Sequence, residues 1–507
     1  MARSIQSNAN LRTDSTFVLL SLAICLYVLL ILYHGFIAFG RDTIETVPYA
    51  LWMADQRLFA SDFHLSHLRN IFPNERWIIA WSLHFFAEQI KLASWVFHGI
   101  FSLTLLAGML RVSDHILRNI EMAVLAVFIC LFSLYNINIG SNELYYNMYV
   151  PSLAGKAVAV WALFYFLKER YLQASVLLAM ASFLHPLVGF QLFVIASAMF
   201  VWKVAFSKTE KKFINVLKFI IPYLLTAGIW IVLLLGAQGP KELGEIPFFD
   251  IVRFRIAHHF FPAFFPLKSM ILLGGLYVIS MYYYYVKKSL LQVFFYVSIL
   301  GMIFYVVGLS AEVELVLSSQ WMKVNIWLKF FGIMGFLGLC QKLIEKRYIR
   351  VLTLILFLGA LVIALLRFNP SWDKAPPTDL YAWISMNSDT DDLFLVPPEL
   401  VDFKARTWRS SYFDFKAMLH HQSAIYEWAD RFTSVYGIEI TDRKPADDIF
   451  MKVKNAYFST EVLTKIPEVK YVIVKDDQLS EERELALSSL WKLVFEGNSY
   501  MVYEQRE

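Results

Sequence analysis

Cysteine is nearly missing from this chain. Cys25, Cys130 and Cys340 are the three in 507 residues, and each lies inside an apolar run. Neither a disulfide framework nor a thiolate metal site is available from them. Charge is scarce as well: Lys, Arg, Asp and Glu make up 17% of the sequence, where soluble domains carry about 25%. The net charge is only +4 and no dense basic block occurs, which excludes nucleic acid as a partner. No Asn-x-Ser/Thr sequon occurs, so an asparagine-glycosylated domain in a eukaryotic secretory lumen has no support and a bacterial inner membrane is favoured. HExxH, Cys/His clusters, Gly-rich phosphate loops and nucleophile elbows are also missing, which argues against zinc proteases, nucleotide-loop enzymes and α/β-hydrolases.

What is abundant is apolar and aromatic. The chain is 58% hydrophobic, with 44 Phe, 26 Tyr, 14 Trp and a mean hydropathy of +0.52. Windows of about 20 residues give about eleven membrane spans in a mainly α, polytopic helical bundle. They lie near 16–39, 92–110, 119–137, 156–167, 172–184, 187–202, 214–236, 267–286, 289–309, 322–340 and 349–366. The fourth and fifth are short for the bilayer, so broken, tilted or re-entrant helices are expected there. The first run is too long for a signal-peptide core and has no A-x-A site behind it, so it stays as an anchor.

Basic residues alternate between loops. With the N-terminus in the cytoplasm, the inner connections hold Arg3, Arg12, Arg111, Arg118, Lys168, Arg170, Lys203, Lys208, Lys211, Lys212, Lys287, Lys288, Lys342, Lys346, Arg347 and Arg350. The opposite loops at 138–155 and 310–321 hold no cation up to Gly155 and Trp321. This positive-inside asymmetry puts the loop 40–91 and everything after Leu366 on the extracytoplasmic face. The chain then divides into a transmembrane domain, 1–366, that includes the first outer loop, and a small α/β domain, 367–507. In that domain helices are expected over 378–386 and 423–436, strands over 393–396 and 469–474, and a hairpin turning at Gly497-Asn498. Helical spacing over 48–58 and 76–90 makes the first outer loop a set of interfacial helices.

The candidate chemistry gathers on the outer face. Gly40-Arg41-Asp42-Thr43-Ile44-Glu45 sets Asp42 and Glu45 three residues apart, on one face if helical, just past the first span. A carboxylate there suits a general base toward an incoming hydroxyl, or a ligand to a divalent cation against a phosphate leaving group. The competing reading is a solvated helix end with Arg41 paired to one of the acids. Asp62 and His64 follow in the same loop, as site residues or as a helix cap and a surface imidazole.

The segment 248–266, FFDIVRFRIAHHFFPAFFP, carries Arg253, Arg255, His258 and His259 among many Phe residues. Cationic donors on an aromatic interfacial helix suit a lipid phosphate, and equally suit snorkelling anchors. Glu143 in the second outer loop and His185, before Pro186, are further polar positions near the membrane; for His185 the alternative is helix-turn packing. In the terminal domain Arg406, Arg409, Asp414, Lys416, Glu427, Trp428 and Arg431 form the densest charged and aromatic stretch, with Arg409 and Trp428 as candidates for an acceptor surface.

The layout resembles the GT-C class of integral-membrane glycosyltransferases, among them the oligosaccharyltransferase catalytic subunit, the protein O-mannosyltransferases and the aminoarabinose transferases. The resemblance rests on Asp42 soon after the first helix, the long first outer loop, the span count and the α/β domain after the last span. The strings DQRLFASDF at 55–63, HPLVG at 185–189, RIAHH at 255–259 and the stretch from Trp383 to Pro398 are similar to uncharacterised bacterial multispanning relatives of that class. A WWDYG-type signature is missing. The resemblance implies transfer of a sugar from a polyprenyl-phosphate donor to a lipid, glycan or protein acceptor at the outer face. Asp42 is then the base or metal ligand, with Glu45 beside it, and Arg253, Arg255, His258 and His259 hold the lipid phosphate. It leaves the cofactor open, with a divalent cation, Mg or Mn, as one candidate. Two other classes stand beside this reading: a non-catalytic scaffold or glycan-assembly protein, and a lipid-linked glycan transporter. The transporter fits less well, because the charges sit at the outer mouth and do not line a path.

Overall fold

The computed structural model describes residues 2–206, 212–237, 245–341, 345–367, 377–419, 422–441, 443–457, 466–476 and 481–506, together with Leu343 and Val462. Lys208, Lys211 and Lys342, counted above among the cytoplasmic cations, lie outside the described residues. Among the described residues, eight helices are long and apolar enough to cross a membrane: Thr16–His34, Ala87–Leu117, Pro186–Phe206, Phe213–Gly236, Leu267–Val286, Leu291–Ser310, Glu314–Cys340 and Arg347–Leu366. Three shorter apolar helices, Ile120–Ser133, Pro151–Leu167 and Tyr171–Leu184, fall at the remaining expected spans. The chain is thus a polytopic, mainly helical membrane protein with a small sheet near its C-terminus. Leu225, Ile271, Phe304 and Leu354 point outward and exposed, a surface that lipid tolerates and water does not.

The chain forms two compact units. The first comprises Met1–Phe36, Trp95–Ile231 and His258–Pro370. The second comprises Ile37–Ser94, Val232–Ala257 and Ser371–Glu507. The first outer loop therefore packs with the terminal region, although the sequence division assigns it to the transmembrane stretch.

In the first unit, small residues set the distance between helices. Gly332, Gly335 and Gly338 recur every third position of Asn325–Cys340 and face Leu276, Ser280 and Tyr283 of Leu267–Val286. A methyl added at Gly335 would come within 2.7 Å of the Ser280 side chain. That closeness lets Ser280 Oγ donate to the Gly332 carbonyl at 2.6 Å and Tyr284 to the Phe331 carbonyl at 2.8 Å. Interhelical hydrogen bonds of this kind replace the hydrophobic drive that lipid cannot supply.

The loop before Pro151–Leu167 is pinned by two lysines that hydropathy could not single out. Lys329, fully buried, donates to the Leu134 and Ile137 carbonyls and pairs with Glu143 at 2.7 Å. Lys156, also fully buried, donates to Asn142 Oδ1 at 2.8 Å and to the Glu143 carbonyl at 2.5 Å.

The second unit is built on a five-stranded sheet in the order β2-β1-β3-β5-β4. β1 (Leu393–Leu395), β2 (Ser410–Ser411) and β3 (Tyr471–Lys475) run parallel; β4 (Trp491–Glu496) and β5 (Tyr500–Gln505) form the expected hairpin. β1 ends where it does because Pro397 and Pro398 follow, and proline offers the ladder no donor. Leu380 and Ile384 of helix Thr378–Asn387 pack on Phe394, Tyr471, Ile473 and Val502. A second apolar layer joins Phe413, Trp428 and Phe432 to Phe254, whose ring lies 5.2 Å from that of Phe432.

The outer-loop segment of this unit holds helices Thr43–Ala54, Phe63–Asn70 and Trp77–His84. Asn74 ties them: its Nδ2 donates to Tyr49 Oη at 3.1 Å and to the Ile71 carbonyl at 3.0 Å. The helix Phe63–Asn70 is not evident from periodicity; its N-cap, Asp62, is the local signal.

Candidate functional site

The site grows from a tight turn. Gly40 has φ +118 and Arg41 φ +48. The hydroxyl of Thr43 closes the turn, donating to the Gly40 carbonyl at 2.8 Å while accepting from the Gly40 N–H at 3.0 Å. Because Thr43 does this work, Asp42 occupies the N-cap of helix Thr43–Ala54 without capping it, and its carboxylate stays exposed. Glu45 is spent differently. It forms a half-buried ion pair with Arg76, which also holds Glu75. Burial raises the Glu45 carboxyl above its ordinary range, and Arg76 opposes that rise. Burial alone would lower Arg76; Glu45 and Glu75 outweigh it and keep the guanidinium raised and charged. Of the two expected acids, only Asp42 is available to a ligand.

Three separated segments bring charge to this turn. Arg255, from helix Phe248–Phe260, donates Nε to the Phe415 carbonyl at 2.8 Å and lies 4.3 Å above the Phe415 ring. Burial pulls this guanidinium down to about 10, with Asp414 opposing, so it is cationic at neutral pH. The next residue after Phe415 is Lys416, whose ammonium is lowered first by burial and then by Arg255, and is raised by Asp414 and Asp42. Asp414 Oδ1 accepts from the Lys416 and Ala417 N–H groups at 2.9 and 3.1 Å, which fixes the turn that presents Lys416. Asp414 and Lys416 follow β2, and Glu399 follows β1. All three thus lie beyond the carboxyl ends of parallel strands, where open α/β sheets place their ligands. Both carboxylate oxygens of Glu399 are buried without a hydrogen-bond partner.

Behind this surface sits a buried support. Asp62, with no exposed area, accepts from Leu65 N at 3.0 Å, from Ser411 N at 3.0 Å and from Lys404 Nζ at 3.5 Å. Lys404 also reaches Asp414 at 3.5 Å. Burial would lower Lys404; Asp62 and Asp414 outweigh it and keep it protonated. Asp62 is therefore a cap and a bridge between segments, the alternative reading of that residue. His64 is fully enclosed, and neither ring nitrogen has a hydrogen-bond partner. Burial, reinforced by Lys404 and Arg76, lowers its pKa and keeps it neutral.

The remaining expected residues do not join this group. Arg253 pairs with Asp250 at 3.1 Å. His258 and His259 belong to the first unit, beyond the non-helical Ile256 (φ −131, ψ 30), and His259 Nδ1 donates to the Gly140 carbonyl at 3.1 Å. Of the four residues expected to hold a lipid phosphate, Arg253 and Arg255 lie in this unit, with Arg253 already paired to Asp250. Glu143 serves the lysine-pinned loop described above. His185 ends helix Tyr171–Leu184, with its Nδ1 accepting from Val188 N at 3.3 Å, as helix-turn packing beside Pro186 requires. Arg409 is an anchor that donates to Ser388 Oγ at 2.9 Å, to the Ser388 carbonyl at 2.6 Å and to the Thr407 carbonyl at 3.1 Å. Trp428 is fully buried and stacked on Phe432 at 5.1 Å, so it has no face for a sugar. Arg76, Lys404 and Glu399 carry no distinguishing pattern in the sequence; only the fold brings Arg76 to Glu45 and Lys404 to Asp62 and Asp414.

A divalent cation finds no ready ligand set at Asp42. Among the described residues, the acids whose ligand atoms lie within 4.8 Å of one another are Asp389, Asp391 and Asp392, in the turn before β1, and Asp42, Glu45 and Glu399 are not among them. Asp392 in that turn is already held by Lys470 at 2.8 Å. What reaches Asp42 electrostatically is instead Lys416, whose carbonyl accepts from Arg255 Nη2 at 3.5 Å. An exposed carboxylate with cations nearby can accept a proton while the cations receive an anionic leaving group.

No curated protein matches the chain. A crystal structure of the Archaeoglobus fulgidus oligosaccharyltransferase in complex with Zn and sulfate is similar at 12% identity and a TM-score of 0.41, over 96% of this chain and 73% of that one. Residues 376–435, from the start of the terminal region through helix Gln422–Tyr436, match a domain of unknown function, DUF6798.

Proposed function

We propose that this protein is a membrane glycosyltransferase that moves a sugar from a polyprenyl-phosphate donor to an acceptor at the extracytoplasmic face. The observation that carries the reading is one exposed carboxylate, Asp42, within electrostatic reach of Lys416, whose carbonyl in turn accepts from Arg255 at 3.5 Å, the three coming from distant segments of the same unit. Asp42 takes the proton of the acceptor hydroxyl or amide as that nucleophile attacks the anomeric carbon. The bond from that carbon to the phosphate oxygen breaks, the oxygen keeps the electron pair, and Arg255 and Lys416 neutralise the phosphate released. Phe415, under the Arg255 guanidinium, fixes the direction of that cation.

The test is turnover of a panel of polyprenyl-phosphate sugars by the purified protein in nanodiscs. Wild type transfers sugar from one donor, and Asp42→Asn loses about 10²- to 10⁴-fold in kcat, the usual contribution of a positioned base. Donor binding survives that substitution. Transfer by Asp42→Asn at the wild-type rate overturns the assignment of the base. Tight donor binding without turnover by wild type moves the protein to a non-catalytic role in glycan assembly.

A further inference from the structure

The second unit contains a cavity of about 400 Å³ that the reaction above does not use. Its walls include Phe39, Glu88, Lys91, Tyr381, Arg406 and Trp408. Phe39 stands three residues before Asp42, so the cavity lining is joined in sequence to the turn that carries the proposed base. The size is within the range of small-ligand sites, and a di- or trisaccharide fits it.

Trp408 is the informative residue. It follows the short helix Phe403–Thr407 in the left-handed region, with φ +58 and ψ +36. A bulky side chain rarely adopts that conformation, and glycine or asparagine holds it without strain. The strained tryptophan nevertheless keeps 39% of its surface exposed on the cavity wall. Strain retained at an exposed aromatic ring points to use of the ring.

The lining also carries polar and charged groups. Arg406 is held by Asp402 and lies 5.3 Å over the Phe39 ring, and Tyr381 donates to the same Asp402 at 2.7 Å. Lys91 and Glu88 line the same cavity. Counting Asp402 with Arg406 and Glu88 with Lys91, two cations are offset by two carboxylates, so no net positive charge is left for a phosphate. An aromatic face accompanied by planar donors and acceptors suits the C–H face and hydroxyls of a neutral sugar. The chain leading into Ala87–Lys91 exposes Phe72, Trp81, Phe85 and Phe86, an aromatic series of the kind that seats at a membrane surface.

We infer that this cavity is the acceptor subsite and takes a neutral saccharide presented at the membrane surface, with the Trp408 ring as its platform. Calling the ligand an acceptor rests on the glycosyltransferase reading, but the binding itself does not.

The experiment is equilibrium dialysis of the full-length protein, in nanodiscs of zwitterionic lipid and without donor, against labelled neutral trisaccharides of glucose, galactose, mannose and N-acetylglucosamine. At least one binds wild type. Trp408→Gly relieves the backbone strain, so it melts at or above the wild-type temperature, yet binds that sugar about tenfold or more weakly. Trp408→Phe keeps an aromatic face and retains intermediate affinity, and Glu88→Gln weakens binding without lowering the melting temperature. The inference is overturned if none of the four sugars binds, if Trp408→Gly binds as wild type does, or if inorganic phosphate or anionic-lipid nanodiscs displace the sugar. Sugar binding that depends on Trp408, in a protein that transfers nothing, removes the enzyme reading and leaves the subsite. Sugar transfer unaffected by Trp408→Gly removes the subsite and leaves the enzyme.

Discussion

A buried charge is tolerable only while its partners remain, and Asp62 illustrates this at the residue scale. It caps helix Phe63–Asn70, receives Ser411 from β2 and faces Lys404, whose side chain is itself almost fully enclosed. Asp62→Ala removes the cap and leaves Lys404 to Asp414 alone. The expected loss is about 3–5 kcal/mol, read as a fall in melting temperature, and Lys404→Met added to it recovers part of that loss. Lys416 gives a pH signature. Its folded pKa lies below the ordinary lysine value, with burial as the first cause and Arg255 as the second. Only the protonated form attracts phosphate, so donor affinity is full below that lowered pKa and declines as pH rises through it. Lys416→Arg carries a cation that does not titrate in this range, so the alkaline decline in affinity becomes smaller and shifts upward, what remains belonging to Arg255, held down to about 10. An alkaline decline of equal size in both proteins places the titrating group elsewhere.

At the scale of elements, the turn 40–43 decides whether Asp42 is presented or wasted. Gly40 at φ +118 is a conformation that side chains disfavour, and an added methyl would meet Val401 at 3.4 Å. Gly40→Ala should cost about 1–3 kcal/mol of strain, and the turn relieves it by shifting Asp42. Sugar transfer then falls more than the melting temperature does; equal activity in Gly40→Ala means that the turn geometry is not needed. The same element shows what was legible beforehand. The spans, and the placing of Asp42 just past the first of them, could be read because hydropathy and sequence distance from a span are local properties. The fates of Glu45, Asp62, Arg409 and Trp428 could not, because each was decided by a partner from another segment: Arg76, Lys404 with Ser411, the Ser388 carbonyl, and Phe432. The helical spacing of Ile425, Trp428 and Phe432 was visible, and it marked a core face, not a sugar platform. Lys416 stood out only as one member of a charged stretch and Lys404 carried no local signal at all, since one cation in a polar stretch looks like another until burial distinguishes them.

At the scale of the whole molecule, the reading requires Asp42, the cavity and the sheet to share one side of the membrane. Three chain segments, 37–94, 232–257 and 371–507, fold into the second unit, so all three must emerge on the same face. We propose that this face is the outside, because the positive-inside rule puts the connections holding Lys168, Arg170, Lys203, Lys287 and Lys288 in the cytoplasm. The check is labelling of single cysteines by a membrane-impermeant maleimide, in cells with the three native cysteines replaced by serine. Ser488→Cys in helix Glu481–Leu490 is labelled without lysis, whereas Lys287→Cys reacts only after the membrane is opened. The reverse pattern puts Asp42 in the cytoplasm, where a soluble nucleotide-sugar could serve as donor and the demand for a lipid-linked one disappears. Labelling of both positions before lysis means that an even number of helices crosses between them, and then one of Leu291–Ser310, Glu314–Cys340 and Arg347–Leu366 does not span the membrane.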